Sequence, residues 1–379
     1  MRVAIFTDTM DRAGMGTALY TRQLVTHLLK IRGTHNLELF LVHRKRNDDP
    51  LYREGVELIL PKVTIPKLTR ILPEAIFLWK TRNDFDIIHY PQESIFPLFW
   101  LSHAKVVVTV HSHIEGWREY GAKVRYWMVV GTLRFFAWRI AAILCNSASV
   151  AKDITNHFAV SPGKVHHIPA GVDELFRTSL THEEAKRRIT ERYGLPTPFI
   201  LVPSRMDPQK NIPRIIQAYA LLRRKHQIPQ ALVVGAKHSG AVSKQAEDLI
   251  KCHGLEKSVV FMPYIENEDM PALYAAADAT LYPSLHEGFG LPILESMAAG
   301  TPVITSSVFS MPEVAGGAGI LVEPRNFEET AEALWKVLHD EKMRGELIEK
   351  GKQNALKYSW EKTAREVLAL YGTISVGRS

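Results

Sequence analysis

At 379 residues the chain is longer than one hydrophobic core usually organises, and 46% hydrophobic with 23% charged residues is a globular composition, not a disordered or fibrous one. Its two cysteines, Cys145 and Cys252, are far apart and form no CxxC pair, which argues against a disulfide framework and a thiolate metal site and suits a reducing, cytoplasmic compartment. The net charge of +7 sits in one half: residues 1–177 carry 23 Lys and Arg against 16 Asp and Glu, the remainder 24 against 24, so the first half should face an anionic partner or surface.

Val3 to Phe6 predicts a buried strand, reached too early in the chain for a signal peptide. A loop with Gly14 and Gly16 follows, then a helix over 17–30. A GxG after a first strand is weak by itself and fits a tight strand-to-helix turn equally well. Strands are expected at 37–42, 56–60, 86–90, 105–110 (ending at His111), 140–145 and 164–168, with a helix over 71–80. Asn146 and Ser147 should cap a helix that ends near Phe158. Residues 117–139 interleave aromatics with cations. From Tyr126 to Cys145 the hydrophobicity approaches that of a membrane span, but Arg134 and Arg139 lie inside it, at a cost of about 2.5–3.5 kcal/mol for a central arginine. A buried helix and a helix docked on a membrane surface are the two readings left.

A polar helical connector over 178–195 leads into a second alternating series. Strands are expected at 199–202, 231–234, 259–262 and 320–322, and helices at 212–224, 243–253, 268–277, 327–339, 341–357 and 360–375. Strands alternating with helices in both halves imply two Rossmann-like domains, 1–177 and 178–359, with an active site at the carboxyl ends of strands, in the cleft between the domains.

The stretch from Leu281 to Thr305 is the most informative. It reads as strand, glycine-rich loop, helix and strand, with Glu287 and Glu295 on either side of Gly288, Phe289, Gly290 and Leu291. Pro292 suits the first turn of a helix and Gly300 its stop. Such a loop gathers backbone N–H groups and a helix N-terminus, an anion site that fits phosphate, while the acids on each side suggest hydroxyls next to it. After the strand at 199–202, Arg205 and Lys210 put two cations on one loop. They are suited to a diphosphate leaving group and, with no DxD-like acid cluster nearby, are expected to do the work of a metal.

These motifs resemble the large family 4 of retaining glycosyltransferases. The likeness lies in Arg205, Lys210-Asn211, the run from His286 to Pro292, and Glu295. It extends to Thr109-Val110-His111, Cys145-Asn146-Ser147, the Pro-x-Gly-Val-Asp segment ending at Asp173, Gly300-Thr-Pro-Val, Met311-Pro312-Glu313-Val314 and Ser359-Trp360. The resemblance implies the α/β GT-B fold: two Rossmann-like domains facing each other across a cleft, the helix over 360–379 packing back on the first. It implies that Glu295 holds ribose hydroxyls, that Glu287 faces the donor sugar, and that Phe289, Gly290 and Leu291 offer backbone donors. Arg205 and Lys210 would hold the diphosphate, His111 reach the donor sugar, Gly16 allow close approach to the phosphates, and Tyr264 and Ile265 meet the base. Chemistry alone permits Glu287 as a nucleophile; the resemblance points instead to a front-face route in which the leaving phosphate takes the acceptor proton. Gly316-Gly317-Ala318 departs from the family, where Asp often follows the first glycine.

The implied activity is metal-independent transfer of mannose or glucose from GDP-mannose or UDP-glucose to a hydroxyl of a glycan or lipid-linked acceptor. The basic first half would make peripheral contact with the cytoplasmic membrane face. Two other classes compete: a nucleotide-sugar epimerase of the same fold, and a basic nucleic-acid-binding protein. The second lacks an RNA-binding signature in its aromatics, so no nucleic acid is expected.

Overall fold

The structure is a computed structural model describing residues 1–379 apart from 11–15, 35, 46–48, 65–68, 70, 93–97, 114–115, 117–118, 120–122, 159, 236–239 and 377–379. The chain divides into two α/β units, residues 1–171 with 360–379, and residues 172–359. The second unit begins a few residues before the expected 178. Phe176 packs its ring against Tyr274 (5.6 Å between centroids), and Val172 forms an isolated parallel bridge with Ser359.

The first unit holds β1 (Arg2–Phe6), β2 (Glu38–His43), β3 (Val56–Ile59), β4 (Ile87–Tyr90), β5 (Lys105–Val110), β6 (Ile140–Cys145) and β7 (Val165–His167), in the order β3-β2-β1-β4-β5-β6-β7. The second holds β8 (Phe199–Val202), β9 (Ala231–Val234), β10 (Val259–Phe261), β11 (Ala279–Tyr282), β12 (Val303–Ser306) and β13 (Ile320–Val322), in the order β10-β9-β8-β11-β12-β13. Every pairing is parallel. Helices cover both faces of such sheets, so the strands read as unbroken apolar runs such as FILV at 199–202, fully buried.

In the first unit, Ala4, Phe6, Val106 and Val108 share a core with Phe77, Leu78, Val129 and Leu133. Helix Gly16–Ile31 packs with helix Trp360–Val376, the last of the chain, where Tyr20 meets Trp360 edge-on at 5.6 Å between centroids. His89 is enclosed there: its Nδ1 lies 2.5 Å from the Tyr371 hydroxyl and its Nε2 2.8 Å from Thr109 Oγ1. Burial pushes this imidazole down from 6.5 to about 3, with His111 adding to the effect. A base depressed on folding contributes stability that is complete above about pH 6.5 and drains away as pH falls toward 3, because only the unfolded chain takes the proton in that window. Thermal unfolding followed by circular dichroism should show Tm falling through this range, and His89→Gln should flatten that slope.

Among its described residues, the aromatic, cationic segment is part buried and part exposed. Helix Lys123–Phe136 sinks Val129, Thr132 and Leu133 into the core, while Trp127, Phe135 and the following Trp138 stay about two-thirds exposed (67%, 67% and 72%). Exposed Arg134 lies seven residues after Trp127, on the same side of the helix and next to Phe135, and Trp138 stands in the turn that follows.

Candidate functional site

In the second sheet the chain goes outward through β8, β9 and β10, then returns to the other side of β8 for β11. The loops that leave β8 and β11 therefore diverge and bound a crevice at the carboxyl ends of the strands. Backbone and side chain stitch those loops together. Leu285 N–H donates to the Gln209 carbonyl (2.7 Å), and Asn211 Nδ2 donates to the carbonyls of Pro283 (3.0 Å) and Pro324 (2.6 Å). Asn211 is buried at φ +62°, a left-handed value that asparagine tolerates, and it separates the short turn Pro208–Lys210 from helix Ile212–His226.

That turn directs Lys210 at the β11 loop. Lys210 Nζ donates to Glu287 Oε1 (2.6 Å) and to the Tyr282 hydroxyl (2.8 Å), and lies 5.0 Å from the centre of the Tyr282 ring. Burial works against the ammonium, but the Glu287 carboxylate and Tyr282 more than offset it and hold the lysine pKa above its usual value. The same surroundings, burial foremost, push the Tyr282 phenol up. Lys210 is thus a fixed cation at every physiological pH. Glu287 spends one oxygen on it, and its backbone is braced too: Ser310 Oγ lies 2.9 Å from the Glu287 carbonyl and 2.8 Å from that of Phe289.

Gly290 stands at φ +116° just before helix Leu291–Ala298, with Pro292 in its first turn and Gly300 at φ +79° beyond its end. A side chain at Gly290 would be strained there and would meet Ile293 at 3.0 Å. Glu295, on this helix, accepts from the Tyr274 hydroxyl at 2.6 Å. Burial, with a smaller push from Asp173, raises its carboxyl to about 7 despite that bond. Gly235, at the end of β9, fixes the β8 loop from behind, since a Cβ there would lie 1.9 Å from the Ser204 carbonyl oxygen.

The other expected residues are more scattered. Arg205 is on the β8 loop but half exposed, 3.7 Å from Asp207 and not joined to Lys210 or Glu287. Tyr264 (75% exposed) and Ile265 (buried) follow β10 at the sheet edge. Gly288 and Phe289 are buried beside Glu287. Gly14 lies outside the described residues. Gly16 opens the first helix with nothing within 4 Å of where a Cβ would stand, so packing within that unit does not demand a glycine. His111, beyond β5, sets its Nε2 2.9 Å from the Pro91 carbonyl and its Nδ1 3.4 Å from Asn146 Nδ2, an arrangement that puts the proton on Nε2. His113 turns inward toward Ser149 (3.1 Å) and Asp153.

Sequence reasoning passed over Tyr282, Tyr274, Ser310 and Gly235. The two tyrosines were absorbed into apolar patterns, although a buried phenol needs a partner and so signals a polar neighbour. Among the described residues, no group of three or more His, Cys, Asp or Glu is placed to hold a metal ion.

Two family models match the chain: "Glycosyltransferase Family 4" over residues 15–174 and "Glycosyl transferases group 1" over residues 183–354. The chain is 28% identical to an MMP alpha-(1->4)-mannosyltransferase of Mycolicibacterium hassiacum, with 98% of each chain aligned. It is 32% identical to the serotype-specific mannosyltransferase WbdA of Escherichia coli over 62% of its own length, and spans 29% of that longer protein. Among solved structures it is similar to Anabaena Alr3699/HepE in complex with UDP and glucose (TM-score 0.78, 17% identity, 98% and 100% of the chains). It is also similar to a sucrose-phosphate synthase from Thermosynechococcus elongatus (TM-score 0.77, 22% identity, 99% of each).

Proposed function

Because the chain belongs to the family 4 glycosyltransferases and has their GT-B fold, we propose that it is a metal-independent, retaining mannosyltransferase using a nucleotide-sugar donor. The observation that carries this reading is the Lys210–Glu287–Tyr282 cluster at the β8/β11 crevice. A cation held charged there stabilises the negative charge that develops on a diphosphate as the sugar leaves. Arg205, half exposed near the start of the same loop, adds a second contact. Glu287, already engaged by Lys210, is a positioning group, not a nucleophile. The bond from the anomeric carbon to the phosphate oxygen breaks, the acceptor oxygen bonds on the same face, and its proton passes to the departing phosphate. His111 reaches the donor sugar, Gly14 and Gly16 give the phosphates room, and Tyr264 and Ile265 meet the base.

Mannose is favoured over glucose because the relative aligned along the whole chain is a mannosyltransferase. Its product is an α-linkage, and an α-product from an α-linked donor is retention. The acceptor is a hydroxyl of a glycan or a lipid-linked glycan. In support of the latter, the first unit exposes Trp127, Phe135 and Trp138 together with Arg134, a composition suited to a membrane interface. Among the described residues no helix is long and apolar enough to cross a membrane.

Thermal-shift and calorimetric titrations with GDP-mannose, UDP-glucose and ADP-glucose in EDTA test this reading. GDP-mannose should bind; a chain that none of the three stabilises is not such an enzyme. Glu295→Ala should weaken donor binding about 10–100-fold, the loss of hydrogen bonds to a charged acceptor. Only the carboxylate accepts from both ribose hydroxyls, so donor affinity of the native protein should rise as pH increases through about 7. Glu295→Gln should remove that rise.

A further inference from the structure

The second unit has another concave site, at the amino ends of its strands instead of the carboxyl ends. The turns entering β11 and β12 form its floor, and it encloses about 570 Å³, within the range of small-molecule sites. Helix Leu291–Ala298 is about 12 Å long at 1.5 Å per residue and separates it from the Glu287 loop. Its walls are basic: His182, Lys186, Arg344 and Lys352 against one carboxylate, Asp278.

That carboxylate is occupied. Asp278 accepts from His182 Nε2 (3.1 Å) and Gln230 Nε2 (2.9 Å), and Lys186 Nζ stands 3.6 Å from it and 3.3 Å from the exposed Glu183. Arg344 differs. Among the described residues no carboxylate pairs with it, and its guanidinium reaches only as far as the Leu338 carbonyl, at 3.4 Å. Lys352 is held loosely, 3.8 Å from Glu349, and its stem crosses Gly300, where a Cβ would press on Lys352 Cε at 3.0 Å. The lining itself therefore carries more cations than acids, because Glu183 and Glu349, the exposed partners of Lys186 and Lys352, stand outside it; the space is larger than a water cluster, and the polar lining does not suit an apolar guest.

We propose that this cavity binds the phosphate of a small phosphorylated molecule, with Arg344 forking two phosphate oxygens and Lys186 and Lys352 flanking them. The site is independent of the donor crevice, and its occupancy does not depend on the transferase reading.

Calorimetry and thermal shift with glucose 6-phosphate, inorganic phosphate and glucose, each with and without excess GDP and UDP, decide the matter. Glucose 6-phosphate should bind once per chain and raise Tm whether or not nucleotide is present. Inorganic phosphate should do the same more weakly, and glucose should do nothing. Arg344→Gln should reduce affinity for glucose 6-phosphate at least tenfold, Arg344→Lys less, with unliganded Tm and transfer activity unchanged. Should Arg344→Gln lower the unliganded Tm, the exposed Lys352→Gln replaces it, with a several-fold loss expected. Displacement by GDP or UDP, equal binding of glucose, undiminished affinity in the variants, or no binding of either phosphate would overturn the proposal.

Discussion

Lys210→Ala is expected to lower kcat about 10²–10³-fold, the range for removing one preorganised donor to a developing anion, with a smaller change in KM for the donor. The effect is large because the ammonium is inside the crevice, flanked by Glu287 at 2.6 Å and Tyr282 at 2.8 Å, and cannot be replaced by solvent at low cost. Arg205→Ala should cost less, since that side chain is half exposed. The single Lys210 variant also leaves Glu287 without its counter-charge, so part of any loss reflects a disturbed fold. Lys210→Ala combined with Glu287→Gln separates the two: its Tm should return toward that of the native protein while turnover stays well below that of Glu287→Gln alone. Near-normal turnover in either variant would remove the diphosphate role assigned to Lys210.

Gly235→Ala is expected to destabilise the protein by about 3 kcal/mol, a fall in Tm of roughly 6–12 °C, and to abolish tight donor binding. The added methyl would sit 1.9 Å from the Ser204 carbonyl oxygen, and backbone cannot rotate away as a side chain can. Relief requires shifting the start of the loop that carries Arg205 and Lys210. Gly345→Ala is the control: it lies mid-helix with nothing within 4 Å of its Cβ position, so the same substitution should be neutral or stabilise by up to about 1 kcal/mol. Scanning calorimetry of the two variants checks both.

What was legible in the sequence followed from period and punctuation. Runs such as FILV and ATLY, stopped by prolines and glycines, located the strands, and Pro292 and Gly300 bracketed the helix between them. The Glu287 loop and the Lys210 loop were legible because charges rarely stand at the ends of buried strands without a reason. Their pairing was not, because it depends on β8 and β11 being neighbours across a change of direction that no local pattern reveals. The two-faced character of helix Lys123–Phe136 was hidden for another reason. Its outward face carries aromatics, so hydrophobicity alone could not tell the buried side from the exposed one. Gly235 was unremarkable in sequence, since its need for a missing side chain comes from Ser204, thirty-one positions earlier.

Val172 and Ser359 are bonded neighbours at the two ends of the second unit, and the helix that follows belongs to the first. In covalent terms the second unit is an insertion whose entry and exit lie side by side. Such a segment can be lifted out and another of the same kind set in its place without stretching the chain on either side. Donor preference should therefore travel with residues 172–359 as a single graft, while a cut after Ser359 would strip Tyr20 and His89 of Trp360 and Tyr371 and leave the first unit incomplete.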